Sequence, residues 1–285
     1  MLRSLKDLES YKVHATDGDI GKVTDFLFDD QHWTIRYLDT DTGGFWKSAG
    51  RVLISPISFR QADWATRKFH LALTQEKIKN SPSIDMDKPV SRQYERDYSQ
   101  YYGWPYYWGF GETMAWGVGI YPGSLAELPV VDELGRDRAE IGDPHLRSAR
   151  EVAGYHVHGS DGAIGHIADF IVDDETWAIR YLVIDTSNWW LGKKVLVPPY
   201  WTQRISWAEN MIYINLTKEA IRNSPEWNPE ALVNREYETR LYDYYGRPAY
   251  WPRENETLND RPNDREKDRP NDREKDRITY HPPVM

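Results

Sequence analysis

The sequence predicts a mainly β protein: two tandem small β-barrels, each followed by short α-helices, with a disordered charged tail at the C-terminal end. Three observations carry this. First, the chain is one unit written twice: residues 4–46 align without gaps on 148–190 with 20 of 43 positions identical, and after a one-residue deletion 52–108 align on 195–251 with 22 of 57 identical. A period near 144 residues is too long for a solenoid repeat, so a domain has been duplicated. Second, apolar residues inside each copy alternate with period two in short runs bounded by turn residues, the pattern of strands. Third, the octapeptide Pro-Asn-Asp-Arg-Glu-Lys-Asp-Arg stands twice in succession at 262–269 and 270–277. A stretch with no apolar residue cannot bury a core.

The elements follow in order. Residues 11–15 read as a strand, Asp17-Gly18 supplies the turn of a hairpin, and 20–28 reads as the second strand. Residues 29–32 turn the chain and 33–40 return as a third strand. If that four-residue loop closes the hairpin, Phe28 opposes Trp33, Phe26 opposes Ile35 and Asp25 opposes Arg36, with Asp169 opposing Arg180 in the second copy. Asp25–Arg36 and Asp169–Arg180 are therefore expected to be structural cross-strand pairs. Both faces of this hairpin are apolar. A filled barrel whose outside is also covered, by a helix or by the other copy, fits that pattern. Further strands are suggested at 52–55, 57–61 and 68–73. Thr74 caps a short helix through Lys79, with 217–223 its counterpart. A second helix runs over 90–101 and stops at Gly103, matched by 229–244 stopping at Gly246. The domains are then 1–108, a linker at 109–147, 148–251, and the tail at 252–285.

Composition narrows the function. A net charge of −9 supplies no global basic field for a phosphate backbone and argues against nucleic acid as partner. Zero cysteines exclude disulfides, thiolate metal sites and cysteine nucleophiles. The charged start and the lack of a long apolar run point to a chain with no transmembrane segment, expected in the cytoplasm. Asp17, Asp25, Asp29 and Asp30 do not have EF-hand spacing, and turn formation or pairing accounts for them; no metal or cofactor is expected. His14 and His158 match each other, yet an isolated strand histidine is ordinarily a packed, hydrogen-bonded residue. Thirteen tryptophans and 19 tyrosines demand that much ring surface be buried or docked.

The hairpin at 13–30, Ile35-Arg36-Tyr37-Leu38 and Val52-Leu53-Ile54-Ser55-Pro56, with their recurrences at 157–174, 179–182 and 195–199, resemble the PRC-barrel family. That family is named for the cytoplasmic domain of the photosynthetic reaction-centre H subunit, and its barrel also occurs in a factor that matures the small ribosomal subunit. The resemblance covers roughly the first 80 residues of each copy. It implies a barrel that docks on other proteins with no shared catalytic centre. The chain lacks the H subunit's membrane-spanning helix and the ribosome factor's partner domain, so neither role is transferred.

Two functions follow as expectations. In the first, the copies pack as an intramolecular pseudo-dimer and act as a non-catalytic adaptor for a protein partner, presenting Trp33, Tyr37, Trp177, Tyr181, Trp189, Trp190 and Trp201. The alternative is a ligand-binding or enzymatic cleft between the barrels, lined by His14, His158 and the aspartates.

Overall fold

The computed structural model describes residues 1–44, 50–82, 90–107, 122, 145–187 and 192–251, so the charged tail and most of the expected linker lie outside the described residues. The first copy contains β1 (Leu2–Ser4), α1 (Leu5–Leu8), β2 (Lys12–Ala15), β3 (Gly18–Asp29), β4 (Thr34–Asp41), β5 (Arg51–Ile54), a 3-10 turn (Pro56–Ser58), β6 (Phe59–Asp63), β7 (Lys68–Leu71), α2 (Gln75–Lys79) and α3 (Arg92–Tyr102). The second repeats the order: β8 (Leu146–Ser148), α4 (Ala149–Val152), β9 (His156–Gly159), β10 (Gly162–Asp173), β11 (Ile179–Asp185), β12 (Lys194–Val197), a 3-10 turn (Pro199–Trp201), β13 (Thr202–Ser206), β14 (Met211–Ile214), α5 (Lys218–Asn223) and α6 (Arg235–Tyr245). The class is mainly β.

Each copy builds one sheet, in the order β5-β4-β3-β2-β7-β6 and β12-β11-β10-β9-β14-β13. Among the described strands, only β2 with β7 and β9 with β14 pair in parallel. The expected barrel is corrected in one respect, because the ladder does not close. The outer strands β5 and β6 are consecutive in the chain and are joined through Pro56, which has no N–H to continue a ladder.

Each sheet also receives a seventh strand, and it comes from the other copy. β3 is 12 residues long, and β2 covers only its first part, from Gly18 to Lys22. The free edge at Leu27–Asp29 is filled by β8, and the equivalent edge of β10 by β1. A strand edge left open is a row of unpaired backbone groups, so each copy covers its neighbour's. Leu146 and Arg147, placed by the sequence at the end of a linker, are thus part of a strand.

The β3–β4 register also differs from expectation. Phe26 opposes Leu38, Leu27 opposes Tyr37 and Phe28 opposes Ile35, with bulges between Val23 and Asp25 and between Leu27 and Phe28. Trp33 is the cause. It adopts a left-handed backbone, φ 51°, and lies in the turn, so β4 begins one residue later; Trp177 does the same at φ 62°.

Phe26, Phe28, Ile35, Leu38, Ile54 and Phe69 are almost fully buried within the first copy. The outer hairpin face, Leu27, Tyr37 and Leu53, forms a second cluster with Tyr98 of α3 and Leu146 of the exchanged strand. A helix and the other copy together cover it. Ser91 caps α3 at its start, left-handed Gly103 ends it, and the Tyr98 hydroxyl donates to the Leu53 carbonyl at 2.9 Å.

Candidate functional site: the exchanged-strand junction

The junction uses the same residue types twice. At β1, Arg3 Nε donates to Asp174 Oδ2 at 2.6 Å while its guanidinium stacks 3.6 Å above the Trp64 ring. At β8, Arg147 Nε donates to Asp30 Oδ2 at 2.9 Å and stacks 4.2 Å above Trp207. A guanidinium that is both paired and stacked is fixed in direction as well as charge. Ser4 Oγ donates to Asp169 Oδ2 at 2.5 Å, and Ser148 Oγ donates to Asp25 Oδ2 at 2.5 Å. Each serine also caps the one-turn helix behind it, accepting from Asp7 N and Glu151 N respectively. The second oxygen of each aspartate accepts backbone N–H groups: Lys6 and Phe170 for Asp169, Arg150 and Phe26 for Asp25. Burial raises the Asp169 carboxyl above its usual value against these bonds.

The hairpin tips meet as well. Ile35 N donates to the Trp177 carbonyl at 2.9 Å and Ile179 N to the Trp33 carbonyl at 2.7 Å. Here the symmetry breaks. Trp177, 4% exposed, enters the first copy and stands edge-on to Phe59 and Phe69 at 5.3 and 5.8 Å. Trp33, half-buried, stacks on Phe28 of its own copy at 5.2 Å.

A buried polar cluster lies beneath α3. Glu95 is 2% exposed, accepts from the Tyr107 hydroxyl at 2.7 Å and the Tyr37 hydroxyl at 3.4 Å, and pairs with Arg92 at 2.8 Å. Desolvation pushes its carboxyl up to about 7. Arg36 lies 3.9 Å above the Tyr107 ring and donates to Asp29 at 3.2 Å. Asp29 is held below the usual carboxylate range: its burial opposes this, and the hydrogen bond from His32 and the Arg36 charge outweigh burial. The cleft beside Tyr37, Tyr98 and Trp104 has room for about one water molecule. The second copy repeats the arrangement, with Tyr181 donating to Glu238 at 2.7 Å and Arg235 pairing with it at 2.9 Å.

These placements correct the expected pairs. Arg36 pairs with Asp29 and Arg180 with Asp173 at 3.1 Å, whereas Asp25 and Asp169 take the serines of the other copy. The shifted register is the reason. The expected tryptophan and tyrosine surface is corrected too: Tyr37, Trp177, Tyr181 and Trp201 are buried and Trp33 is half-buried, while Trp189 and Trp190 lie outside the described residues. His14 bonds Asp19 at 2.7 Å and faces His70; His158 faces Tyr213 in the other sheet, so the two histidines have separate surroundings. Among the described residues no group of three or more His, Asp or Glu is placed to hold a metal, and no helix is long and apolar enough to cross a membrane. The junction residues missed were Leu2-Arg3-Ser4 and Leu146-Arg147-Ser148. Their signal was present as an identical tripeptide at the repeat spacing.

A protein of Deinococcus radiodurans, described only as uncharacterized, is 29% identical over 112 residues, 39% of this chain; the match spans 39% of that relative's length. The family model for the PRC-barrel domain matches residues 2–67 and 144–221, just over half of the chain, and both stretches take in the exchanged strands. The chain belongs to the PRC-barrel domain family and carries the domain in two copies.

Proposed function

We propose that this protein is a non-catalytic scaffold that binds another protein, with the two copies held together as its rigid body. One observation carries the reading: the polar side chains at the junction, Arg3, Ser4, Asp25, Asp30, Arg147, Ser148, Asp169 and Asp174, are engaged in joining one copy to the other. Such a body holds two faces at a constant separation without ordering cost at the moment of binding. Trp189 and Trp190, between β11 and β12 in sequence, are the pair this reading assigns to contact with the partner.

The test compares wild type with Trp189→Ala/Trp190→Ala. Affinity capture is followed by rebuilding the complex from purified components on a sizing column. The expected result is one protein retained in fixed stoichiometry by wild type and lost by the variant, whose circular dichroism is unchanged. Absence of any stoichiometric complex, or turnover of a small molecule that depends on His14 and His158, overturns the reading in favour of a cleft between the copies.

A further inference from the structure

We propose that the exchanged-strand junction is a transferable interface whose fitting partner is a second molecule of this chain, the first copy of one molecule taking the second copy of another. This inference does not depend on the scaffold reading.

Every contact described at the junction is made by residues of the copies themselves: β1 and the start of α1 on β10, β8 and the start of α4 on β3, and tip on tip. Of the segment joining the copies, residues 108–144, the one described residue, Pro122, is buried beside Tyr37 and Tyr98 of the first copy and takes no part in the junction, which the segment serves as a covalent tether. An interface in which identical elements cross between units is met equally well within one chain or between two, which is the condition for domain swapping. The tether decides between them. A connection of 37 residues holds the copies at an effective concentration on the order of a millimolar, so at micromolar protein each chain closes on itself.

The asymmetry of the tips decides which copy pairs with which. Trp177 fills a slot between Phe59 and Phe69. The equivalent positions in the second copy are Thr202 and Ile212, so two second copies facing each other offer that indole no rings. Two first copies facing each other bring Trp33 opposite the Phe59/Phe69 slot, and to fill it Trp33 would have to leave its stack on Phe28, a ring the second copy replaces with Val172. The strand and serine contacts are common to all pairings. Trp177 therefore makes the junction selective for unlike copies: that pairing gives the indole its ringed slot with no stack to break, a pair of second copies has no ring at either position, and a pair of first copies must unstack Trp33.

The test keeps the full chain. A site for a sequence-specific protease is placed within 123–143, the folded protein is cut, and the product is weighed by light scattering. The expected result is a single 1:1 species of the two fragments; separation of the fragments overturns the proposal. Isotope-labelled and unlabelled cut batches are then mixed in mild urea and weighed by native mass spectrometry. Expected are first-copy fragments of one batch paired with second-copy fragments of the other, at least tenfold over like pairs. Like pairs at equal abundance, or no exchange between batches, overturn it. In Trp177→Ala the preference is expected to fall towards parity while 1:1 association persists. Finally, uncut chains refolded together are expected to be monomeric at 5 µM and partly dimeric near a millimolar; monomers alone at both concentrations count against exchange between molecules.

Discussion

Asp25 and Asp29 stand four residues apart on β3 and meet different partners, because a bulge between Leu27 and Phe28 changes which way the strand presents its side chains. Asp29 turns to Arg36, and both are almost fully buried. Removing Arg36 alone takes the guanidinium from a buried carboxylate that keeps its bonds from His32 and the Gln31 backbone N–H, and is expected to cost more than removing both partners. A double-mutant cycle of Asp29→Asn with Arg36→Met is expected to show coupling above about 1 kcal/mol by chemical denaturation, and the cycle of Asp25→Asn with Arg36→Met none beyond about 0.5 kcal/mol. Glu95 provides the pH dependence. Its folded value near 7 lies above the ordinary 4.5, so the folded state favours the protonated acid, and the stability this brings is full below pH 4.5 and lost as pH rises through 7. Arg92, Asp29, Tyr37 and Tyr107 surround it and stay in their charge states over that range. Glu95→Gln cannot ionise. Its stability relative to wild type is expected to increase between pH 4.5 and 8, by at most about 3 kcal/mol, and a flat difference across that range refutes the assignment.

At the scale of elements, the long strands are pinned at both ends. Near the start of β3 the chain passes so close to β4 that a Cβ on Gly21 would lie 1.9 Å from the Asp41 carbonyl oxygen; Gly165 repeats this at 2.0 Å from Asp185. Neither backbone can yield without parting the strands. Gly21→Ala is expected to lower the melting temperature by several degrees, an effect of roughly 2 kcal/mol or more at 2–4 °C per kcal/mol for a protein of this size. The far ends depend on exchange. Deleting residues 1–8 removes β1 and α1, together with the bonds to Asp169 and Asp174. Hydrogen exchange is expected to show faster exchange at Ile171–Asp173 of β10 with β3 unchanged, because β8 still covers β3. Equal loosening of both strands would show that β1 supports the whole body and not one edge.

For the whole molecule, Trp177 carries a large side chain of one copy into the core of the other. Trp177→Ala is expected to cost about 3–5 kcal/mol, and Trp33→Ala clearly less, because Trp33 is half-buried against its own copy. Equal losses would mean that the tips contribute symmetrically. Much of this body was legible in the chain. Two copies, their short strands, the Asp-Gly hairpin turn, the Thr74 cap and the Gly103 stop are written in spacings of one to four residues or in a direct repeat, and neighbours in sequence decide them. The two-sided apolar hairpin likewise announced that its outer face would be covered. Only the tertiary structure decided the register of β3 on β4, since it is set by the left-handed turn at Trp33, whose indole packs on Phe28 beside one bulge, and by a second bulge between Val23 and Asp25. It alone decided the partners of Asp25 and Asp169, which come from 123 and 165 residues away. A three-residue strand has no periodicity to detect, and Arg, Ser and Asp side chains resemble solvated surface until another copy's strand is laid beside them. Sequence determined what each copy is; the unpaired far edge of a long strand, and the backbone groups that must be satisfied there, determined that each copy is completed by the other.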